Sequence, residues 1–354
     1  MIREAIEKLV NGQSLTHQEA FESMREIMSG RATPAQVAAF LTALRMKNET
    51  VEEITAFALA MRSFCHGLKP KVRGRLVDTC GTGGDRIKTF NVSTAVAFVV
   101  AGAGVPVAKH GNRSVTSKSG SADVLECLGL NLNVSPEVVR KAVEQIGVGF
   151  LYAPLFHPAM KHAAGPRREM GIRTVFNLLG PLTNPALPDA QLIGVCDADL
   201  VEKIAKVLRG LGLEEAMVVH GLDGLDEISV VGKAKIAWLR REEIKTFTIT
   251  PEELGVNRAA PESVAGASPM ENAETTFKIL CGCLKEGDPK RDLVTVNAAA
   301  GIIVGGMADD FASGLELARE SIESGAAYRK LKELVCLYNG SSSERLEELE
   351  AKYR

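Results

Sequence analysis

The sequence predicts an α/β protein, with a small all-helical N-terminal domain ahead of a larger domain in which helices cover a β-sheet. Two observations carry this. Residues 1 to about 66 show apolar residues at three- and four-residue spacing with no strand candidate between them, and from Leu76 onward short strand-like runs alternate with helix-like ones. The composition agrees: 45% hydrophobic and 24% charged residues over 354 positions suit a globular chain of one large and one smaller domain.

The helical N-terminus reads as Ile2 to Leu9, Thr16 to Met28, Pro34 to Met46 and Val51 to Phe64. Ser14 or Thr16, Thr33 before Pro34, and Thr50 before Glu52 and Glu53 mark the starts, since a hydroxyl at the cap and proline or acid in the first turn favour helix initiation. Pro70 to Gly74 reads as a linker. Strands follow at Leu76 to Cys80, Val105 to Ala108, Gly147 to Leu151, Gln191 to Val195, Ala216 to His220 and Ala234 to Leu239. Between them, helices fit Thr94 to Ala101, Val124 to Leu128, Pro136 to Ile146 and Ala198 to Leu211. The C-terminal stretch is helical at Leu293 to Gly305, Phe311 to Ser324, Ala326 to Tyr338 and Ser343 to Lys352. Pro154 to Pro188 breaks the pattern: it is proline-rich, with helix around Ala159 to Met170, and is expected to rejoin the small helical domain at a cleft. The expected domains are 1–68, joined by helices from about 159–188, and 74–354.

Charge and hydropathy exclude several classes. A net charge of −2 offers no basic surplus for a nucleic-acid surface. The N-terminus lacks the apolar core of a secretory signal, and no run approaches the ~18 apolar residues needed to span a bilayer. A cytoplasmic protein with no membrane partner is expected. The seven cysteines are scattered, and Cys281 and Cys283 lack a second pair or a histidine cluster, so buried reduced thiols are the expectation.

Five segments carry chemistry. Gly81-Thr82-Gly83-Gly84-Asp85 follows the first strand, where glycines let backbone N–H groups converge on an anion; a plain tight turn reads the same way. Arg86 stands where a dinucleotide fingerprint needs glycine, and no Gly-Lys-Ser/Thr follows for a P-loop. Asn91-Val92-Ser93-Thr94 opens an apolar helix; such a polar start serves helix stability in most proteins, and its N-terminal N–H groups also suit a second anion site. Lys109 to Ser121 gathers Lys109, Arg113 and Lys118; a solvated basic loop would read this way, but the density of hydroxyls and cations between two buried elements favours a lid over a pyrophosphate. Asp223-Gly224-Leu225-Asp226-Glu227 offers carboxylates that, beside phosphate, suit magnesium. Last come His157-Pro158, Arg167-Arg168-Glu169 and Asn177 to Pro185; arginine can pair bidentately with a carboxylate, though a helix-surface ion pair explains these residues equally well.

Taken in order, GTGGD, NVST, KHGNRSVTSKSGSADVLE, HPAMKHAAGPRRE, NLLGPLTNP and GLDEIS, with a C-terminal NAAAGIIVGG, resemble the anthranilate phosphoribosyltransferase family over nearly the whole chain. The resemblance implies a small helical domain and a larger α/β domain with a central mixed sheet, of the nucleoside phosphorylase and phosphoribosyltransferase type, working as a homodimer through the helical domains. It implies transfer of the 5-phosphoribosyl group from phosphoribosyl pyrophosphate to the amine of anthranilate, with release of pyrophosphate, in tryptophan biosynthesis. Carried over by motif, Gly81, Gly84, Asp85, Thr89, Asn91, Val92, Ser93, Thr94, Lys109, His110, Gly111, Asn112, Arg113, Ser114, Val115, Thr116, Ser117 and Ser121 would hold phosphoribosyl pyrophosphate. Ser93, Asp226 and Glu227 would bind up to two Mg2+ per monomer, and Gly81, Asn112, Arg167, His110 and His157 would receive anthranilate. Lys109 and Arg167 would act through electrostatics and positioning, with no general base.

Two other readings compete. A pyrimidine nucleoside phosphorylase has a similar fold, but the Asp226-Glu227 pair and the Arg167/GPLTNP segment favour the transferase. A non-catalytic nucleic-acid-binding relative would carry a basic groove, which the near-neutral charge does not suggest.

Overall fold

Threonine starts three of the first four helices, α1 (Ile2–Val10), α2 (His17–Met28), α3 (Pro34–Lys47) and α4 (Val51–Arg62). The computed structural model describes residues 1–114, 119–340 and 342–354. In it, Thr16, Thr33 and Thr50 each accept from the N–H three residues on, while Glu19, Gln36 and Glu53 return a bond to the cap's own N–H. Two otherwise unsatisfied donors are thereby used at each start. Of Ser14 and Thr16, Thr16 is the cap. Glu53 does more than cap: fully buried, it accepts from the Leu15 N–H at 2.9 Å and pairs with Lys47 at 2.9 Å, tying the α1–α2 connection to the bundle.

The sheet has seven strands: β1 (Val77–Gly81), β2 (Val107–Gly111), β3 (Val148–Tyr152), β4 (Ala190–Gly194), β5 (Glu215–Gly221), β6 (Ala234–Arg240) and β7 (Glu243–Ile249). Their order is β3-β2-β1-β4-β5-β6-β7. The first five run parallel, and β6 and β7 add an antiparallel hairpin, so the sheet is mixed. Strand alternation divides two cores. Leu192, Met217, Val219 and Ile236 face one, while Ile193, Val218 and Ala237 face the other.

The connecting helices are α5 (Val92–Gly102), α6 (Ser121–Cys127), α7 (Pro136–Gln145), α8 (Ala153–Phe156), α9 (Lys161–Met170), α10 (Phe176–Leu182) and α11 (Ala198–Gly210). After the sheet come α12 (Pro269–Leu280), α13 (Pro289–Val304), α14 (Phe311–Glu323), α15 (Ala326–Tyr338) and α16 (Glu344–Tyr353). The core behind Ile193 gathers α1–α4, α11 and the apolar side chains of α9 and α10, among them Ala163, Phe176 and Leu179. The other is built on α5 and α13. Every residue of α13 from Arg291 to Val304 is buried, the polar Arg291, Asp292, Thr295 and Asn297 included, so the helix is enclosed on all sides.

Four of these elements had no counterpart in the sequence reading, the four-residue α8 among them. β7 is mostly exposed and joins β6 through Arg241 and Glu242, both at positive φ (51° and 67°). Such a two-residue turn normally shows itself by Asn-Gly or Asp-Gly, and here that signal is missing. α10 carries Pro181 inside its span, which disguises it. α12 did announce itself: Ser268 caps it and Glu271 completes the capping box ahead of Pro269. α13 begins at Pro289 behind Asp288, earlier than the Leu293 that periodicity suggested.

Candidate active site

The site forms where the sheet changes direction. β1 leads through α5 to β2 on one side, while β4 and β5 extend the sheet on the other, and a crevice opens at the carboxyl ends of strands at such a point. Gly81 and Gly194 stand opposite each other at the ends of β1 and β4. Both are glycine for a steric reason. A Cβ on Gly194 would lie 1.6 Å from the Asp226 backbone oxygen, and one on Gly81 2.8 Å from Asp226 Oδ2. The two glycines therefore let the β5–β6 loop fold its carboxylates over the strand ends.

That loop is held from below and within. Asn297 of α13, fully buried, accepts from the Ile228 N–H at 2.8 Å and donates to the Ile228 carbonyl at 3.0 Å. Asp223 bonds Ser229 Oγ and the Leu225 N–H, so it shapes the loop and does not reach the cleft. Asp226 and Glu227 do line it. Burial and the charge of Asp85 push the Asp226 carboxyl up to about 6; burial and the charge of Asp226 push Glu227 well above the usual carboxylate range, with Lys109 opposing. Among the described residues neither carboxylate has a lysine or arginine at ion-pair distance.

The opposite wall brings a glycine turn, a helix N-terminus and a buried lysine together. The turn after β1 holds Gly83 at φ +59° and Gly84 at φ +93°, which only glycine adopts without strain. α5 begins at Val92, and Asn91 makes no cap bond to it; its side chain instead engages Ser119. Val92 and Ser93 face the cleft at the positive end of the helix dipole. Lys109, buried on β2, donates from Nζ to the Thr79 carbonyl and to Ser93 Oγ at 3.2 Å. Burial lowers its pKa and the Asp78 carboxylate raises it back. Asp78 is itself buried and accepts from the His110 N–H and from Gln191, each at 3.2 Å.

A cleft of about 380 Å³ unites these walls, within the range of small-ligand sites. Its lining brings together Gly81, Gly84, Asp85, Thr89, Asn91, Val92, Ser93, Lys109, His110, Gly111, Asn112, Arg113, Ser114, Ser121, Asp226 and Glu227. Thr94 lies behind this lining, fully buried. Val115, Thr116 and Ser117 lie outside the described residues. Arg113 turns its guanidinium onto Glu126 at 2.7 Å and Asp123 at 3.1 Å, so its charge is engaged on α6 in this conformation.

The residues that the sequence resemblance assigns to anthranilate are divided. His110 lines the cleft, whereas His157 and Arg167 are not on its lining. The two imidazole rings lie 5.0 Å apart; burial pushes His110 down to about 3 and His157 down to about 4, so both are neutral at pH 7. Among the described residues His110 Nε2 and both ring nitrogens of His157 are buried without a well-formed hydrogen bond, although the backbones of Gly180 and Thr183 favour the charged forms of the two rings. The Arg167 guanidinium lies 4.9 Å from the Phe176 ring centroid, and burial lowers its pKa. Sequence reasoning assigned no role to Asn177, Gly180, Gly266 or Asn272, which also line the cleft, nor to Arg173, which reaches the glycine turn. Asn177 and Gly180 sit in a segment already marked by its motif; Gly266, Asn272 and Arg173 carried no local signal.

Comparison with known proteins agrees with this geometry. Models described as the glycosyl transferase family helical bundle domain and a/b domain match residues 3–65 and 73–328. The chain is 51% identical to anthranilate phosphoribosyltransferase of Acetivibrio thermocellus, covering 95% of this chain and 96% of that one. The crystal structure of the Thermus thermophilus enzyme is similar at a TM-score of 0.89 and 42% identity, covering 95% and 99% of the two chains. The Saccharomyces cerevisiae enzyme in complex with phosphoribosyl pyrophosphate and Mg gives a TM-score of 0.87 at 29% identity, covering 96% and 98%. With 4-fluoroanthranilate the yeast enzyme gives 0.86 at 28%, with the same coverage. The chain belongs to the anthranilate phosphoribosyltransferase family.

Proposed function

We infer that this chain transfers the 5-phosphoribosyl group of phosphoribosyl pyrophosphate to the amine of anthranilate, releasing pyrophosphate, as a step of tryptophan biosynthesis. The observation that carries the reading is a single cleft that brings together a glycine turn, a helix N-terminus, a buried lysine and an acidic pair. In the reaction the anthranilate nitrogen bonds to the ribose anomeric carbon as the bond from that carbon to the pyrophosphate oxygen breaks. Positive charge builds on the sugar and negative charge on the leaving group, and the nitrogen then loses a proton to solvent.

The residues fit a magnesium ion. Asp226 and Glu227 repel each other and lack a cationic partner among the described residues, so a divalent cation there relieves a cost the protein otherwise bears by protonation. No group of three or more His, Cys, Asp or Glu side chains forms a cage among the described residues. Ser93, water and phosphate oxygens would complete an octahedron, and we propose up to two ions per monomer on that basis. When bound, magnesium neutralises charge on the diphosphate.

Lys109, nearly buried in the cleft wall, supplies a positive charge beside the leaving group. An aryl amine is already unprotonated at pH 7, so the acceptor side needs orientation more than a base. Arg167, His110, His157, Asn112 and Gly81 are the residues we assign to it. We also propose that 1–68 with 159–188 forms the small domain and the dimer contact, 74–354 the large one, and that the protein works in the cytoplasm. No helix among the described residues is long and apolar enough to cross a membrane.

Anthranilate fluorescence followed with phosphoribosyl pyrophosphate tests the reading. Magnesium-dependent loss of the signal is expected. A folded protein that leaves anthranilate unchanged with both present overturns the acceptor assignment.

A further inference from the structure

Arg173 belongs to the segment between α9 and α10, on the acceptor side, yet its guanidinium crosses to the donor side. Nη2 donates to the Gly83 carbonyl at 3.0 Å and the Thr82 carbonyl at 3.3 Å, and lies 3.6 Å from Cys196 Sγ. Nη1 occupies the space beside Gly84, where a Cβ would come within 2.1 Å of it. Among the described residues Arg173 has no carboxylate at ion-pair distance. A guanidinium bound to two successive carbonyls, with no acid to satisfy, calls for a reason other than an ion pair.

The peptide plane supplies one. In a trans peptide the carbonyl of one residue and the N–H of the next point in opposite directions. Drawing the Thr82 and Gly83 carbonyls toward Arg173 therefore turns the N–H groups of Gly83 and Gly84 away from it. The Gly83 N–H is close enough to the Asp226 carboxylate to favour its charged form. Gly83 and Gly84 both sit at positive φ and have no side chain to resist reorientation, so their peptide units are the easiest in the site to flip. A flip would present carbonyl oxygens where an anion must bind.

We propose that Arg173 is a positioning residue that locks the Thr82–Gly83 and Gly83–Gly84 peptides with their N–H groups toward the diphosphate and the acidic loop, so that a residue of the acceptor-side segment sets the donor site. The inference rests on the phosphoribosyl pyrophosphate reading of the cleft. It differs from a direct electrostatic role, in which any cation at this point would serve. It also explains Gly84 twice over, by its φ and by the guanidinium that fills its Cβ position.

The test is calorimetric titration of wild type, Arg173→Lys and Arg173→Met with phosphoribosyl pyrophosphate and magnesium, and with inorganic pyrophosphate and magnesium. Steady-state KM for each substrate is measured alongside. Lysine keeps the charge but has no planar fork to hold two carbonyls. Both variants are expected to weaken binding of each phosphate probe roughly tenfold or more, the energy of one or two charge-assisted hydrogen bonds lost from the turn. The anthranilate KM at saturating donor stays within about twofold of wild type, and the melting temperature of the unliganded protein within a few degrees. Wild-type affinity in Arg173→Lys overturns the proposal in favour of simple charge, and a rise confined to the anthranilate KM overturns it in favour of acceptor binding. Unchanged affinity in both variants overturns it outright. If wild type itself binds neither probe, the reading of the cleft has failed and not the role of Arg173.

Discussion

Replacing Lys109 by methionine separates what the buried lysine does for the fold from what it does for the reaction. Methionine keeps most of the length and volume, so no large cavity opens. What is lost is a charge and two hydrogen bonds, to the Thr79 carbonyl and to Ser93 Oγ. A buried carbonyl left without its donor costs about 1–3 kcal/mol. The Asp78 carboxyl, already raised by burial and held down first by Lys109, moves further up, which limits the electrostatic cost. A net loss of about 2 kcal/mol follows. At roughly 2.1 cal/mol/K per residue over 354 residues, that lowers the melting temperature by only about 3 °C. The kinetic effect is expected to be larger. The lysine faces charge that develops on the leaving group, and removing one such preorganised donor typically lowers kcat about 10²–10³-fold. The donor KM is expected to change less than kcat, because the charge grows only as the bond breaks. Fluorimetry gives melting temperature and anthranilate consumption on the same preparation. A variant that melts a few degrees lower yet keeps kcat within threefold of wild type would reduce Lys109 to a structural residue.

Three further outcomes are expected. The His157 pKa of about 4 lies below its unfolded value, so the unfolded chain takes up the proton first and stability is lost as pH falls from about 6.5 to about 4, by up to about 1.4 kcal/mol per pH unit. Buried carboxyls such as Asp226 work in the opposite sense below about pH 6, so the comparison to make is wild type against His157→Asn in urea melts across that range; parallel curves would remove the histidine from the account. Magnesium binding must displace the proton that Asp226 holds below about pH 6, so magnesium with phosphoribosyl pyrophosphate should raise the melting temperature more at about pH 8 than at about pH 5.5. Asp226→Asn should abolish the difference, and equal shifts at both pH values in wild type would count against the acidic pair as the metal site. Gly194→Ala sets a Cβ 1.6 Å from the Asp226 backbone oxygen, so the acidic loop must move; activity should fall at least tenfold with helical circular dichroism preserved, and full activity would show the loop position is not critical.

What could be read along the chain was what local chemistry encodes. Thr16, Thr33 and Thr50 begin helices because a hydroxyl satisfies backbone donors three residues away, an interaction that needs no tertiary partner. Gly83 and Gly84 marked a turn after the first strand through backbone freedom alone, and both take positive φ there. Those signals, with the order of the motifs, sufficed for the fold class and for most of the cleft lining. They failed where local evidence was absent or misleading, as in the hairpin turned by Arg241 and Glu242.

Only the tertiary structure decided which charges meet. Arg113 looked like a phosphate ligand in a basic loop, and the fold gives it Glu126 and Asp123. Arg173 and Asn297 received no role from the sequence, and the fold sets them against the glycine turn and the acidic loop. Gly194 carries no motif, and its necessity comes from the Asp226 backbone lying against it. Caps, turns and periodicity act over a few residues and leave their mark in the sequence, whereas burial, paired charges and close backbone approach join positions a hundred residues apart, and their energies exist only once the chain has folded.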